Sequence, residues 1–502
     1  MQPRNLTFIL VTVVVSVACH LLHTRTRTAL VVGEALNLID QFYVEPVDRR
    51  DLLISAMNGM TNTLDQHSEF IPPHDYTQFQ DSIHQEFAGI GIYITQAEGE
   101  PVRVITPLVG SPALEAGILP GDELIQVGEE DVSERTIREV STLLKGPIGT
   151  EVSLRVRRGE QTISIDVRRE NIQLESIVGD HRDPQNRWVY RLEAHPEIAY
   201  LRMTGFGDRT VGELAEVLAS LNNDFDALVL DLRGNGGGLL TAAAQVSDMF
   251  LNEGKIVSTK TRGNVVEDEF YATPGTLVDP DIPLAILIDH NSASASEIVA
   301  AALQDHGRAS IVGERSYGKG TVQNILPLEY GRSALRLTVA RYYRPSDRNI
   351  HRGREDTEDD IWGVSPDEGL QVTMDDAAIL KLARLWEHAS FPALAQAVTV
   401  PGESKTPGES KTPDTSGTPP EGSPGATDQP ESPEEPVEDR REPVSGSETA
   451  WQIDDVLRTA VFHLQPTTQD ETTQDESASD EVSQEEVSPP AAAQSAPLAP
   501  AD

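Results

Sequence analysis

The period of the hydrophobic pattern changes several times along the chain. Over residues 29–84 apolar positions recur at helical spacing, as in "ALNLIDQFYV" and "DLLISAMNGMTNTL", which predicts a helical N-terminal region. Over 85–172 the runs become short and β-rich, "RVITPL", "EVSLRVRR" and "TISIDVRR", and are separated by Gly, Pro and Asp turns. One helix, "SERTIREVSTLLKG", falls among them, so a compact, mostly-β module is expected there. Over 173–398 unbroken apolar runs, "ALVLDLRG" and "LAILIDH", alternate with the amphipathic stretches "TVGELAEVLASL", "TAAAQVSDMFL" and "SASEIVAAALQDHG". Strands apolar on both faces need cover on both faces, so this part reads as an α/β core.

The two ends break the pattern. Within residues 1–28, Leu6–Leu22 is a nearly unbroken apolar run of the length of a membrane anchor or the core of a secretory signal. Ser16-Val17-Ala18 offers a cleavage pattern, with Cys19 after it as a point for lipidation. An uncleaved anchor is the favoured expectation, and either reading places the remainder outside the cytoplasm, facing a periplasm or extracytoplasmic space. Residues 399–449 and 467–502 are rich in Pro, Ser, Glu and Asp, with the tandem repeats "PGESKTPGESKTP" and "TTQDETTQDES", and are expected to be disordered. Between them, "WQIDDVLRTAVFHLQ" within 450–466 has helical apolar spacing and is expected to dock back on the core.

Charge and composition narrow the chemistry. A net charge of -41 over 502 residues disfavours nucleic acid as a partner, although much of it belongs to the tail. A single cysteine excludes an intrachain disulfide and a four-thiolate zinc site. No histidine spacing matches a metal motif, and "HSEFIPPH" (His67–His74) reads as a polar loop. Neither metal nor organic cofactor is expected.

Three stretches carry candidate chemistry. "GERSYGKGTVQ", Gly313–Gln323, resembles a phosphate loop but has Gly320 where a hydroxyl belongs, and a strand-like run follows where a helix is needed. Two readings of Lys319 stay open on the residues alone: a solvated surface charge, or a proton acceptor, which requires burial or neighbouring charge to lower its pKa. Gln323 is placed to orient it. "DLRGNGGGLL", Asp231–Leu240, follows a buried strand, and its glycines let backbone amides approach an anion. "NSASASEIVAAALQD", Asn291–Asp305, again follows a strand; Ser294 can be a nucleophile at a helix start, or the cap of a Ser-x-x-Glu capping box with Glu297.

Taken in order with "FAGIGIYI", "VGSPALEAGILPGDELIQVG", "LTVARYYRPS" and "GVSPDEGL", these stretches resemble the carboxyl-terminal processing proteases, over about Tyr43–Asp367. The resemblance implies a ClpP/crotonase-like core carrying an inserted PDZ domain. It implies Ser294 as nucleophile, Lys319 as its base 25 residues downstream, and Gln323 orienting the lysine. Amides of Gly237 or Gly238, and of Ala295, would form the oxyanion hole, and Asp305 matches an acidic residue with a supporting or merely salt-bridging role. Gly89, Ile90 and Gly91 match the PDZ loop that receives a peptide's C-terminal carboxylate, so the implied partners are proteins with free, unstructured C-termini. The helical N-terminal region would suit a dimer contact. The segment "YYRPSDRNIHR" departs from the family's Tyr-Thr-Pro-x-Gly pattern. Two other classes stay open: a PDZ scaffold that binds C-termini without cleaving them, and an acyl-CoA enzyme, for which no basic phosphate site is evident.

Overall fold

Local signals start most helices. The computed structural model describes residues 29–391, apart from 98 and 354, and residues 450–465. Residues 29–42 are helical (α1), and α2 (Arg49–Thr61) begins where the Asp48 carboxylate caps Arg50 N–H at 2.6 Å. A short strand, β1 (Glu69–Ile71), leads into α3 (Pro73–His84), which has proline in its first turn. The polar loop expected over His67–His74 is therefore corrected. Phe70 and Ile71 are buried, and Ile71 pairs with Ala334, far downstream. Three residues are too few to show a period, and the partner strand is remote in sequence.

The β-rich module consists of β2 (Glu86–Gly89), β3 (Ile92–Thr95), β4 (Arg103–Pro107), α4 (Pro112–Glu115), β5 (Glu123–Val127), β6 (Glu130–Asp131), α5 (Ile137–Leu144), β7 (Glu151–Arg158), β8 (Gln161–Arg168) and β9 (Glu170–Gln173). Its sheet runs β3-β4-β5-β7-β8, with β6 on β5, around a core including Val104, Leu124, Val140 and Leu154. β3 lies at the sheet edge. The chain enters and leaves through an antiparallel ribbon of β2 and β9.

The core follows: β10 (Ile177–Val178), β11 (His181–Arg182), β12 (Trp188–Val189), β13 (Ile198–Met203), α6 (Thr210–Leu221), β14 (Ala227–Asp231), α7 (Leu240–Asp248), β15 (Lys255–Thr261), β16 (Val265–Tyr271), β17 (Leu284–Ile288), α8 (Ala295–Asp305), β18 (Ser310–Gly313), β19 (Thr321–Leu328), β20 (Ser333–Tyr343) and α9 (Asp376–Ser390). Beyond the undescribed stretch come α10 (Ala450–Ile453) and α11 (Asp455–Leu464). Strands β13, β14, β17 and β18 form a parallel sheet with β10 antiparallel at one edge. Alternation sorts their side chains. Leu228, Leu230, Ile286 and Ile288 pack under α6, α7 and α8, while Val229, Ala285 and Leu287 pack under α9 and α11. A second, antiparallel sheet, β1-β20-β15-β16 with β19 on β20, carries the residues after Lys319.

The apolar run Leu6–Leu22 and the charged stretches 399–449 and 467–502 lie outside the described residues. Among the described residues, no helix is long and apolar enough to cross a membrane.

Candidate active site

The parallel sheet sends three turns out from the C-terminal ends of β14, β17 and β18, the end where α/β sheets place ligands. The first two turns are tied together by hydrogen bonds. Ala293 N–H donates to Asn235 O at 3.1 Å, Gly234 N–H to Asp289 Oδ1 at 3.0 Å, and Ser292 Oγ to Leu232 O at 2.9 Å. Ser296 Oγ also donates to Asn235 O, at 2.9 Å.

These bonds separate the three serines of "SASAS". Ser292 and Ser296 are buried and hold the turn together. Ser294 sits at the start of α8 with φ 58°, ψ -113°, a left-handed conformation that costs a non-glycine residue about 1–3 kcal/mol. Tyr342 stands close to its side chain, and burial raises the pKa of that phenol. The Ala295 N–H is in the first turn of α8, where amides lack intrahelical partners.

The glycine turn presses directly on this serine. A Cβ on Gly237 (φ +97°) would lie 2.8 Å from Ser294 Cβ and 2.9 Å from Ala295 N. Gly237 N–H is engaged by Asn235 Oδ1 at 2.9 Å, and Gly237 O accepts from Phe206 N–H at 3.2 Å. In a trans peptide the carbonyl and the following N–H point opposite ways, so Gly238 N–H is turned away from Phe206.

Glu297 joins the serine turn to the lysine loop. Its buried carboxylate accepts from Ser294 N–H at 2.8 Å, Lys319 N–H at 2.8 Å, Gly318 N–H at 2.7 Å and Ser316 Oγ at 2.6 Å. Ser294 and Lys319 share the same oxygen, Oε2. Burial raises the Glu297 pKa to about 7, against the pull of these four donors. Lys319 lies below the ordinary lysine value because burial, and next the Arg336 charge, disfavour its ammonium, while Glu297 and Glu69 act the other way. The ammonium forms no hydrogen bond among the described residues.

Gln323 stands on β19 and donates its amide to Thr321 at 2.8 Å and Thr338 at 3.3 Å, with no bond to Lys319. Gly318 and Gly320 make room for other backbone: added Cβ atoms would lie 2.8 Å from Arg352 Cβ and 2.2 Å from His351 N. Asp305, at the far end of α8, forms a two-pronged ion pair with Arg344 at 3.0 and 2.6 Å and accepts from Ser346 N–H. Beside the lysine loop opens a cavity of about 880 Å³, lined in part by His67, Ser316, Gly318, Thr338 and His351. Burial is the largest influence holding both histidines below the ordinary imidazole value. Among the described residues no cluster of three His, Cys, Asp or Glu could hold a metal.

In the β-rich module, Gly89 ends β2, and Ile90 and Gly91 turn into β3. Ile90 O accepts from Ala113 N–H and Gly91 O from Leu108 N–H, each at 3.0 Å, which turns the following amides the other way. Gly91 (φ +79°) must be glycine, because a Cβ would stand 2.4 Å from Ser111 Cβ.

Sequence reasoning missed the reach of Glu297. The Ser-x-x-Glu spacing signalled a cap, and Glu297 does cap Ser294 N–H, but its bonds to the lysine loop are long-range. Tyr342 was visible only as part of a strand.

A strand-to-helix turn bearing Ser294, an adjoining glycine turn and the loop of the half-buried Lys319 lie together at one end of the sheet. The sequence comparisons define the class as a serine-type peptidase. The profile described as Peptidase family S41 matches residues 197–368, and a PDZ domain profile matches 103–158. A carboxy-terminal-processing protease of Bartonella bacilliformis is 38% identical over 326 residues, covering 63% of this chain and 71% of that protein. Carboxy-terminal processing protease CtpB of Bacillus subtilis is 29% identical over 372 residues, covering 72% and 75%. Among solved structures, a photosystem II D1 C-terminal processing protease aligns at 27% identity with a TM-score of 0.39, over 68% of this chain and 92% of that one. The chain belongs to peptidase family S41, the carboxy-terminal processing proteases.

Proposed function

We propose that the protein is an endopeptidase that takes the unstructured C-terminal end of a protein on its PDZ domain and cleaves by a Ser294–Lys319 dyad. Neutral Lys319 accepts the Ser294 proton, and Ser294 Oγ attacks the scissile carbonyl. The oxyanion is received by the N–H groups of Ala295 and Gly238, since Gly237 N–H is already engaged by Asn235. Protonated Lys319 then gives its proton to the leaving amine, and water releases the acyl group. The observation that carries the reading is the convergence of the Ser294 and Lys319 amides on one buried oxygen of Glu297. Gln323 orients the amine through its amide oxygen, which has no hydrogen-bond partner among the described residues, with its nitrogen fixed by Thr321 and Thr338. Asp305 supports the fold through Arg344 rather than the chemistry.

The PDZ domain receives the substrate carboxylate on the amides of the Gly89–Gly91 loop, and the peptide adds as a strand beside β3. Residues Leu6–Leu22 place the enzyme at a membrane, facing the extracytoplasmic side, and cell fractionation tests this.

The deciding experiment incubates wild-type protein and Ser294→Ala with an unstructured peptide ending in apolar residues. Wild type should cleave it and Ser294→Ala should bind it uncut. Cleavage by Ser294→Ala removes the nucleophile assignment; binding without cleavage by the wild type supports a PDZ scaffold instead.

A further inference from the structure

The turn that bears Gly237 and Gly238 is anchored from a helix 221 residues away in sequence. Asp231, the last residue of β14, projects to the same face of the sheet as Val229, the face covered by α11. Two residues on, Arg233 folds back to it, with Nε 2.9 Å from Asp231 Oδ1 and Nη2 2.6 Å from Oδ2. The opposite edge of the guanidinium meets Asp454, with Nη1 2.8 Å from Oδ1 and Nη2 2.7 Å from Oδ2. All three side chains are buried: Asp231 is 0%, Arg233 5% and Asp454 1% exposed. Tyr200 donates to Asp231 at 2.8 Å, and the Trp386 ring of α9 lies 5.1 Å from the Arg233 guanidinium carbon.

Asp454 also starts its own helix. Its Oδ1 accepts from Leu457 N–H at 2.9 Å, an N-cap bond that fixes the carboxylate as α11 docks through Val456, Leu457, Ala460 and Val461. One carboxylate therefore couples the seating of α11 to the position of Arg233. Arg233 in turn begins the backbone turn that ends against Ser294. Asp454 lies outside the stretch matched by the family profile.

We infer that Asp454 is a positioning residue: through Arg233 it sets the glycine turn so that its amides meet the oxyanion. The inference rests on the reading of Ser294 as nucleophile and this turn as oxyanion donor. Without the Asp454 charge, a buried guanidinium keeps one carboxylate and faces unmatched donors on its other edge. The turn then shifts, and a displacement of about 1 Å at a reacting centre can cost roughly 100-fold in rate.

The test compares full-length wild type, Asp454→Asn, Asp454→Glu and Val461→Ala. Asn keeps the helix cap without the charge; Glu keeps the charge but moves it by one methylene. Val461→Ala loosens α11 without touching Arg233. Three quantities are measured: kcat and KM on the unstructured peptide, the rate of Ser294 labelling by a fluorophosphonate, and the melting temperature. Expected is a fall of about 10- to 100-fold in kcat and in labelling for Asp454→Asn, with KM within twofold. Asp454→Glu should fall less, at an unchanged melting temperature. Val461→Ala should melt lower yet keep kcat below its transition. Wild-type kcat and labelling in either Asp454 variant overturn the inference, as does a loss no greater than that of Val461→Ala at matched melting temperature. If Asp454→Asn does not fold, Asp454→Glu decides by the same criteria. Ser294→Ala, run alongside, must not label; if it labels, the nucleophile reading has failed rather than the role of Asp454.

Discussion

The catalytic end of the sheet and the PDZ domain are attached to the rest of the molecule by different kinds of interaction. The three turns of the candidate site are bound to one another by hydrogen bonds that are mostly buried, Glu297 to four donors and Asn235 O to two, with an exposed bond from Gly234 N–H to Asp289. In low dielectric such bonds are strong, and each is costly to leave unmade. The PDZ domain is attached through the β2–β9 ribbon, an edge-on contact of Tyr93 with Phe391 at 5.4 Å, and partly exposed ion pairs from α5 to α3, Lys145–Asp81 at 2.6 Å and Arg138–Asp75 at 3.6 Å. Pairs of that kind contribute about 0.2–1 kcal/mol and weaken with salt. The turns are joined mainly by hydrogen bonds, whereas a larger share of the module's contacts is screened by salt.

If the centre is preorganised, disturbing it should cost far more activity than stability. The largest effect is expected for Lys319→Met, which keeps an apolar stem and removes the amine proposed as the base: cleavage should fall by about 10²–10⁴. Burial lowers the Lys319 pKa, so the stability linked to this group is present above the ordinary lysine value and is lost as pH falls through the lowered one. Near neutrality Lys319→Met should therefore melt no lower than wild type. A large drop in melting temperature would show that the lysine holds the loop rather than the proton.

Next comes Gly237→Ala. The added methyl would meet Ala293 O at 2.6 Å and Ser294 Cβ at 2.8 Å, on backbone with φ +97°. Roughly 100-fold loss in kcat is expected from displacing the serine. Wild-type kcat in this variant would mean that the turn and the serine are not held in register.

Glu297→Gln tests the hub and is expected to cost roughly 10-fold or more. The amide keeps the shape but points a donor at groups that themselves donate. The sign of its pH effect follows from a pKa raised to about 7 in the folded chain against 4.5 ordinarily. Stability from this group is fully present below 4.5 and is lost as pH rises through about 7. Activity needs the ionised acceptor and should run the opposite way, rising through the same range. Denaturant melts at pH 5 and pH 8 should show a smaller difference for Glu297→Gln than for wild type.

The same contrast explains what was legible in the sequence. β14 and β17 are buried on both faces, so "ALVLD" and "LAILI" announced a covered parallel sheet. The nucleophile turn was located by its small residues, but three serines of one type stood there. The resemblance singled out Ser294, and the bonds of Ser292 and Ser296 to the glycine turn give a physical reason why those two serve the turn instead. Glu297 was legible as a helix cap, a local role, and illegible as the acceptor of Lys319 N–H, which depends on two turns meeting in space. Asp454 was unreadable for the same reason. Its partner is 221 residues distant, and a lone Asp before a helix announces a cap and nothing more. β1 was lost because three residues carry no period.

The smallest predicted effect bears on the module. Lys145 joins α5 to α3 through Asp81 and lies 5.5 Å from the centre of the Phe87 ring on β2. It bonds to neither catalytic turn. Lys145→Ala should therefore leave kcat unchanged on a peptide too short to span from Ser294 to the PDZ loop. On an unstructured protein substrate, freeing α5 should alter KM by up to about fivefold, consistent with a pair of ~0.2–1 kcal/mol. The difference should shrink in 1 M salt, where the screening length falls to about 3 Å. Equal loss on both substrates, insensitive to salt, would mean that the PDZ domain is rigidly integrated with the centre, and the contrast between the two regions would be void. A change confined to the long substrate and erased by salt would identify the α3–α5 contact as the place where the module opens.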